Sequence, residues 1–236
     1  MTAVVHAAAP RRHLPALLVA VVVAGMAVSA WDARDRTTWL LETVWVLAGL
    51  PLVVLTRRRF PLTNLLYCLL AAHALVLAVG GHYTYARVPL GDWVRDTFGL
   101  SRNPYDRFGH LMQGFVPAVL VRELLSRTSP LRGSRWLAPL TVCACLAFSA
   151  VFEMLEWLAA VVGGHSADAF LATQGDVWDT QWDMFCALIG ATVSVLVLSR
   201  PHDRQLDALG VTASYDGAGP TAGRRTSTGR TTRPLA

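Results

Sequence analysis

The chain has 236 residues, of which 53% are apolar and only 16% are charged. Soluble domains carry roughly 25% charged residues, and apolar runs of membrane-spanning length recur here, so composition excludes an ordinary soluble protein. The net charge of +5 comes from Arg alone and is spread over loops and a tail. We therefore expect a lipid bilayer and no nucleic acid as partner.

Six apolar segments predict an all-α polytopic membrane helix bundle with six transmembrane helices. They cover residues 14–30, 39–55, 61–79, 105–125, 137–161 and 177–198. Residues 14–198 are thus interpreted as one transmembrane domain that follows a short N-terminal segment, 1–13. Residues 199–236 are rich in Gly, Thr, Ser, Pro and Arg, a composition that predicts a disordered tail because little apolar surface can be buried.

The distribution of Arg predicts the orientation of the bundle. Basic residues precede the first segment, follow the second and the sixth, and lie between the fourth and the fifth. Two other connections carry no net positive charge: one contains Asp32, Arg34, Asp35 and Arg36, and the other contains His165, Asp168 and Asp176. Since cytoplasmic loops are enriched in Lys and Arg, both termini are expected in the cytoplasm.

The first segment has two interpretations. Arg11 and Arg12, the apolar run and the sequence V-S-A before Trp31 are typical of a cleavable signal peptide. An uncleaved first helix is favoured because multi-span proteins usually keep theirs. Both interpretations give the same orientation.

The connection from residue 80 to 104 is rich in aromatic residues. Trp93 and Phe98 suit the membrane interface, so a short interfacial helix is expected at 93–98. A lid over the polar groups described next is the alternative.

The most informative stretch is N-P-Y-D-R-F-G-H-L-M-Q, which opens the fourth predicted span. Asp106, His110 and Gln113 are spaced i, i+4 and i+7, so they share one face of a helix. Arg107 lies beside them. A polar face at the start of an apolar helix predicts a site at the outer end of the bundle.

Two later spans carry carboxylates at the same predicted depth. Glu153 and Glu156 are i, i+3 neighbours on the fifth span, and Asp179 and Asp183 share a face of the sixth. Glu42 and His73 reach similar depths. The exceptions, Arg122 and Glu123, are expected to extend to the inner interface.

Carboxylates within a membrane cost at least about 2.5 kcal/mol each at its centre unless they are satisfied. The candidate functional residues are therefore Asp106, Arg107, His110, Glu153, Glu156, Asp179 and Asp183. One His with several carboxylates suits a divalent cation such as Mg²⁺, Mn²⁺ or Zn²⁺. The candidate ligands are Asp106, His110, Glu153 and Asp179.

Other interpretations stay open. A structural network would include an ion pair between Glu153 and Arg107 and would make the protein a scaffold. A proton- or cation-coupled carrier would use Glu153, Glu156 and Asp183 as relay groups. The chain has no G-x-S-x-G, H-E-x-x-H or P-loop motif that would indicate a particular enzyme.

The polar motifs resemble the YjdF-like family of predicted bacterial inner-membrane proteins. The resemblance covers roughly residues 39–200 and rests on H-Y-T-Y-A-R-V-P, N-P-Y-D-R-F-G-H-L-M-Q-G-F, F-E-M-L-E-W and A-T-Q-G-D-V-W-D-T-Q-W-D-M. It implies a multi-pass protein of the bacterial plasma membrane and gives no activity.

A fainter resemblance is to VanZ-like membrane proteins. Their motifs correspond to Asp106, Arg107 and His110, then Ser149, Glu153 and Glu156, then Asp179, Asp183, Cys186 and Gly190, with Cys186 standing where Gly is expected. Glu156 stands where Gln is expected and Asp183 where Asn is expected, so this site is more acidic. The resemblance implies binding or modification of an envelope lipid or precursor.

Overall fold

A computed structural model describes residues 13–163 and 171–211. These residues form seven α-helices, one 3-10 turn (Tyr85–Arg87) and no β-strand. The helices are α1 (Leu14–Ala30), α2 (Arg36–Thr56), α3 (Asn64–Tyr83), α4 (Pro89–Phe98), α5 (Tyr105–Thr128), α6 (Leu137–Gly163) and α7 (Asp179–Ala208). The predicted all-α class is confirmed.

Four helices, α2, α3, α6 and α7, are long and apolar enough to cross a membrane, and α1 is a shorter apolar helix. The predicted segments coincide with helices to within a few residues, except at the end of α7. The predicted interfacial segment is α4, whose Trp93 and Phe98 are exposed.

Local sequence signals explain several helix starts. The side chain of Asp35 accepts a hydrogen bond from the backbone N–H of Thr38 at 2.6 Å and caps α2. Thr63 caps α3 through the N–H of Leu66. Such caps satisfy backbone donors that have no partner within the helix.

The cap at Asp35 makes a testable contribution to stability. Asp35→Ala is expected to lower the free energy of unfolding by about 1 kcal/mol, whereas Asp35→Asn, which also caps, should cost little. The backbone hydrogen bond from Thr38 lowers the pKa of Asp35 below its ordinary value of 3.8. The stabilisation is therefore present above that value and lost as the pH falls through the lowered pKa.

Thermal unfolding in detergent between pH 2 and pH 7 measures both effects. Asp35→Asn should lose the part of the pH dependence that the Asp35 carboxylate causes. An Asp35→Ala variant as stable as the wild type would contradict the role of the cap.

The helices form two groups of three. In the first, Val22 and Met26 of α1 pack against Ala71, Ala74 and Ala78 of α3, with α2 alongside. The second contains α5, α6 and α7. The groups are joined where α3 packs on α5, and on the other side α2 meets α6 through aromatic side chains.

Helices α5 and α7 cross with their backbones in close approach. A Cβ atom at Gly114 would overlap the backbone carbonyl of Ala187, and one at Gly190 would overlap the carbonyl of Leu111. Small residues permit this approach of two helix backbones, as in many membrane bundles. The crossing fixes the side chains of α5 opposite those of α7.

The prediction of a disordered tail from Ser199 is wrong for its first part, because α7 continues through Pro201 to Ala208. His202 and Leu206 are fully buried. Arg122 donates to both carboxylate oxygens of Asp203 at 2.8 and 2.9 Å. Packing and ion pairing against α5 therefore stabilise the helix beyond the membrane-length segment. Residues 212–236 and 1–12 lie outside the described residues.

The expectation that Arg122 and Glu123 extend to the interface is also wrong. Glu123 is fully buried and accepts hydrogen bonds from His202, Thr63 and Arg127. Arg122 contacts Nδ1 of His202 at 3.0 Å. This set, the inner network, joins α3, α5 and α7, so its charges are satisfied by one another.

Candidate functional site

The polar face predicted on α5 is present and buried. Asp106 and His110 are 6% and 5% exposed. Nδ1 of His110 lies 2.9 Å from the side-chain oxygen of Gln113. If Nδ1 carries the proton and donates it to this oxygen, Nε2 keeps a free lone pair, the arrangement that a metal-binding or proton-accepting His requires.

Nε2 of His110 faces two carboxylates. It lies 3.8 Å from Oδ1 of Asp106 and 3.7 Å from Oε1 of Glu153. These distances exceed a hydrogen bond. The groups therefore converge on a common point without contacting each other.

Helix α7 contributes a third potential ligand, Asp183, to this site. Asp106, His110 and Asp183 each offer a ligand atom, and these atoms lie within 4.8 Å of one another. That separation suits ligands on opposite sides of one cation, since metal–ligand bonds are about 2.0–2.4 Å long. Of the four predicted cation ligands, Asp106 and His110 belong to this group and Glu153 borders it.

Two buried oxygen atoms at the site have no hydrogen-bond partner among the described residues, Oδ1 of Asp183 and Oε1 of Glu153. The two residues are only 2% and 6% exposed. Buried polar atoms in native proteins are almost always satisfied. The missing partner is therefore expected to be a ligand or a water molecule.

Arg102 was not among the predicted site residues. It binds Asp179, the fourth predicted cation ligand. Its guanidinium donates to Asp179, to Asp106 at 3.1 Å and to the backbone carbonyl of Ala172 at 3.1 Å. Burial lowers the pKa of Arg102, but the hydrogen bond to Asp179 and the nearby carboxylates raise it further, so the pKa is above its ordinary value. The Asp179 carboxylate therefore pairs with the Arg102 guanidinium, which stays charged, and holds it in position.

Arg107 has a different partner from the one considered above. Its guanidinium donates to Asp176 at 2.5 Å and lies over the ring of Trp182 at 5.3 Å. The prediction of an ion pair between Arg107 and Glu153 is therefore wrong. Arg107 holds the start of α7 against α5 instead of offsetting the charge of Glu153.

The electrostatic balance of the site is acidic. Four buried carboxylates surround it, those of Asp106, Glu153, Asp179 and Asp183. Arg102 offsets one of these four charges, and a neutral His110 that ligates a cation through Nε2 offsets none. A divalent cation would offset two of the three remaining negative charges, and the oxygen-rich ligand set favours a hard ion.

A cavity of about 640 Å³ opens beside this site, between the two groups of helices. The polar residues at one end of it are Glu42, Tyr85, Asp106, His110, Gln113 and Glu156. The rest of the lining is mostly apolar and extends to Leu124 and Thr128 near the end of α5. Glu156 therefore faces the cavity, whereas Glu153 is not among the described lining residues and lies beside His110 in the cluster formed by α5, α6 and α7.

A family model described as "Predicted membrane protein (DUF2238)" matches residues 14–204. The chain belongs to this family. It is also 52% identical over 180 residues to "Inner membrane protein YjdF" of Escherichia coli (strain K12), which covers 76% of this chain and 86% of that protein.

Membership of the DUF2238 family confirms the predicted YjdF-like resemblance. With the membrane-length helices, it identifies a multi-pass protein of the inner membrane. No solved structure matches the chain.

Proposed function

We propose that the protein binds a divalent cation through Asp106, His110 and Asp183, with Glu153 beside them. The cation would hold the phosphate-bearing head of an envelope lipid or lipid-linked precursor. The observation that carries the proposal is the convergence of three buried ligand atoms within 4.8 Å. The unpartnered oxygens of Asp183 and Glu153 support it, because a bound ion would satisfy both.

A cation at this position would act as a Lewis acid toward a phosphate oxygen. Arg102 would keep Asp106 and Asp179 in place from the opposite side. Gln113 would fix the orientation of the His110 ring. These roles are positioning roles, since neither Arg102 nor Gln113 belongs to the converging ligand set.

The proposal includes six membrane-spanning helices, α1, α2, α3, α5, α6 and α7, with both termini in the cytoplasm. The Arg distribution supports this orientation. The packing of Val22 and Met26 of α1 into the core with α3 supports retention of the first helix. The cation site would then face the outer leaflet.

Two observations disfavour the alternatives. A coupled carrier needs a polar path, but residues 114–121 of α5 carry no polar side chain. A purely structural network would satisfy its own buried oxygens, as the inner network does for Glu123, whereas Asp183 and Glu153 each keep an unpartnered oxygen.

The test is the metal content of the detergent-purified protein, measured by mass spectrometry, together with titration by Mn²⁺. The wild type is expected to hold near-stoichiometric divalent metal. Asp183→Asn and His110→Ala should lose it while remaining folded. Asp96→Asn is the matched control, because Asp96 is an exposed acid on α4.

A wild-type protein that neither contains a divalent metal nor binds Mn²⁺ would overturn the proposal. Equal metal content in Asp183→Asn and in the wild type would also overturn it. Loss of metal in Asp96→Asn would show that the metal binds surface acids without using this site.

A further inference from the structure

The cavity between the two helix groups has a polar end and a long apolar part. Its apolar lining follows α5 from His110 to Thr128, which corresponds to about 27 Å at a rise of about 1.5 Å per residue. That length approaches the roughly 30 Å of a bilayer's hydrocarbon core. Its volume of about 640 Å³ lies within the range of about 300–1,000 Å³ that ligand sites usually have.

The polar end carries uncompensated acids. Glu42 and Glu156 come from α2 and α6 and line the cavity with Asp106. No Arg is among the described residues that line it. Arg102 and Arg107 are engaged by carboxylates on the other side of α5.

Glu156 is the most informative of these acids. It is 8% exposed and lines the cavity, and the charged groups nearest its carboxylate are other acids, among them Glu153, Asp106 and Glu42. Glu42, which is 6% exposed, has only the neutral hydroxyl of Tyr85 beside it. Buried carboxylates are retained where a cation or a donor satisfies them.

Aromatic side chains form one wall of the cavity between α2 and α6. These helices meet through Trp45, whose ring centroid is 5.0 Å from that of Phe148 and 6.4 Å from that of Phe152. All three side chains line the cavity. A contact made by aromatic side chains can open by changes of rotamer, without separation of packed helix backbones.

We propose that this cavity binds a membrane lipid whose head carries an ammonium group, with one hydrocarbon chain along the apolar lining and the ammonium between Glu42 and Glu156. The ammonium would donate hydrogen bonds to both carboxylates. The phosphate of the same head would reach the cation at Asp106 and His110. The place of the phosphate rests on the proposed function, whereas the ammonium contact is independent of it.

The experiment is native mass spectrometry of the full chain in detergent, with phosphatidylethanolamine or phosphatidylglycerol of identical acyl chains added. Phosphatidylethanolamine is expected to bind about tenfold more tightly than phosphatidylglycerol, because its ammonium group can donate charge-assisted hydrogen bonds to the two carboxylates. The double variant Glu42→Gln, Glu156→Gln should lose this preference. Asp96→Asn, an exposed acid, should keep it.

Gly49→Phe tests the apolar part separately. Gly49 lines the cavity, and a Cβ atom there meets nothing within 4 Å. The variant should fold normally and lose both lipids. Unchanged binding in Gly49→Phe would overturn the cavity as the site, and equal binding of the two lipids by the wild type would overturn the ammonium contact.

Metal content measured on the same samples separates this inference from the proposed function. Preference for phosphatidylethanolamine in metal-free protein would support the inference and contradict the proposed function. Bound metal without any lipid preference would support the proposed function and overturn the inference.

Discussion

Gly114→Leu is expected to prevent α5 and α7 from packing and to lower the free energy of unfolding by about 3 kcal/mol or more. The reason is that a Cβ atom at Gly114 overlaps the backbone of Ala187, which cannot move aside as a flexible side chain can. Separation of the two helices would also move Asp183 away from Asp106 and His110.

Thermal unfolding of detergent-solubilised protein, followed by Trp fluorescence, measures this effect. Gly49→Leu is the matched control, because the same side chain would enter open space in α2. The control should unfold at or slightly above the wild-type temperature, since Gly within a helix costs about 0.5–1 kcal/mol relative to Ala. A Gly114→Leu variant as stable as the wild type would contradict the close crossing.

Glu123→Ala is expected to be the second most damaging change, with a cost of about 3–5 kcal/mol. The substitution would leave His202 and Arg127 without their carboxylate partner. It would also remove the acceptor of the Thr63 backbone N–H and hydroxyl at the start of α3. The buried ring N–H of His202 and the backbone N–H of Thr63, both left without their acceptor, account for most of the cost.

Asp203→Ala gives the matched control in the same region. The Asp203 side chain is 42% exposed, and its partner Arg122 keeps the contact to His202. Its loss should cost less than about 1 kcal/mol. Equal stability of the Glu123→Ala and Asp203→Ala variants in thermal unfolding would contradict the importance of the inner network.

Helical periodicity predicted the parts of the site that lie on regular helices. Asp106 and His110 are one turn apart on α5, and Asp179 and Asp183 are one turn apart on α7, so each pair shares a face whatever the rest of the fold. The four helices that are long and apolar enough to cross a membrane were equally predictable, because each is a long apolar run. The proximity of Asp183 to His110 could not be predicted from the sequence, because it depends on the rotation of α7 about its own axis.

Arg102 could not be found by the same method because it precedes α5 and has no helical periodicity. Its position four residues before Asp106 was the available signal. The end of α7 was misjudged for another reason. Pro201 and the polar residues after it are typical of a helix end, but burial of His202 and Leu206 against neighbouring helices outweighs this preference.

The separation of the two charged clusters has a consequence for the response to membrane voltage. On α5, Gln113 and Arg122 are separated by about 14 Å at a rise of about 1.5 Å per residue, and all side chains between them are apolar or Gly. An applied potential falls mainly across such a low-dielectric stretch. Each cluster is therefore expected to remain close to the potential of its nearer aqueous phase, and binding of the proposed cation at Asp106 and His110 should depend little on membrane energisation.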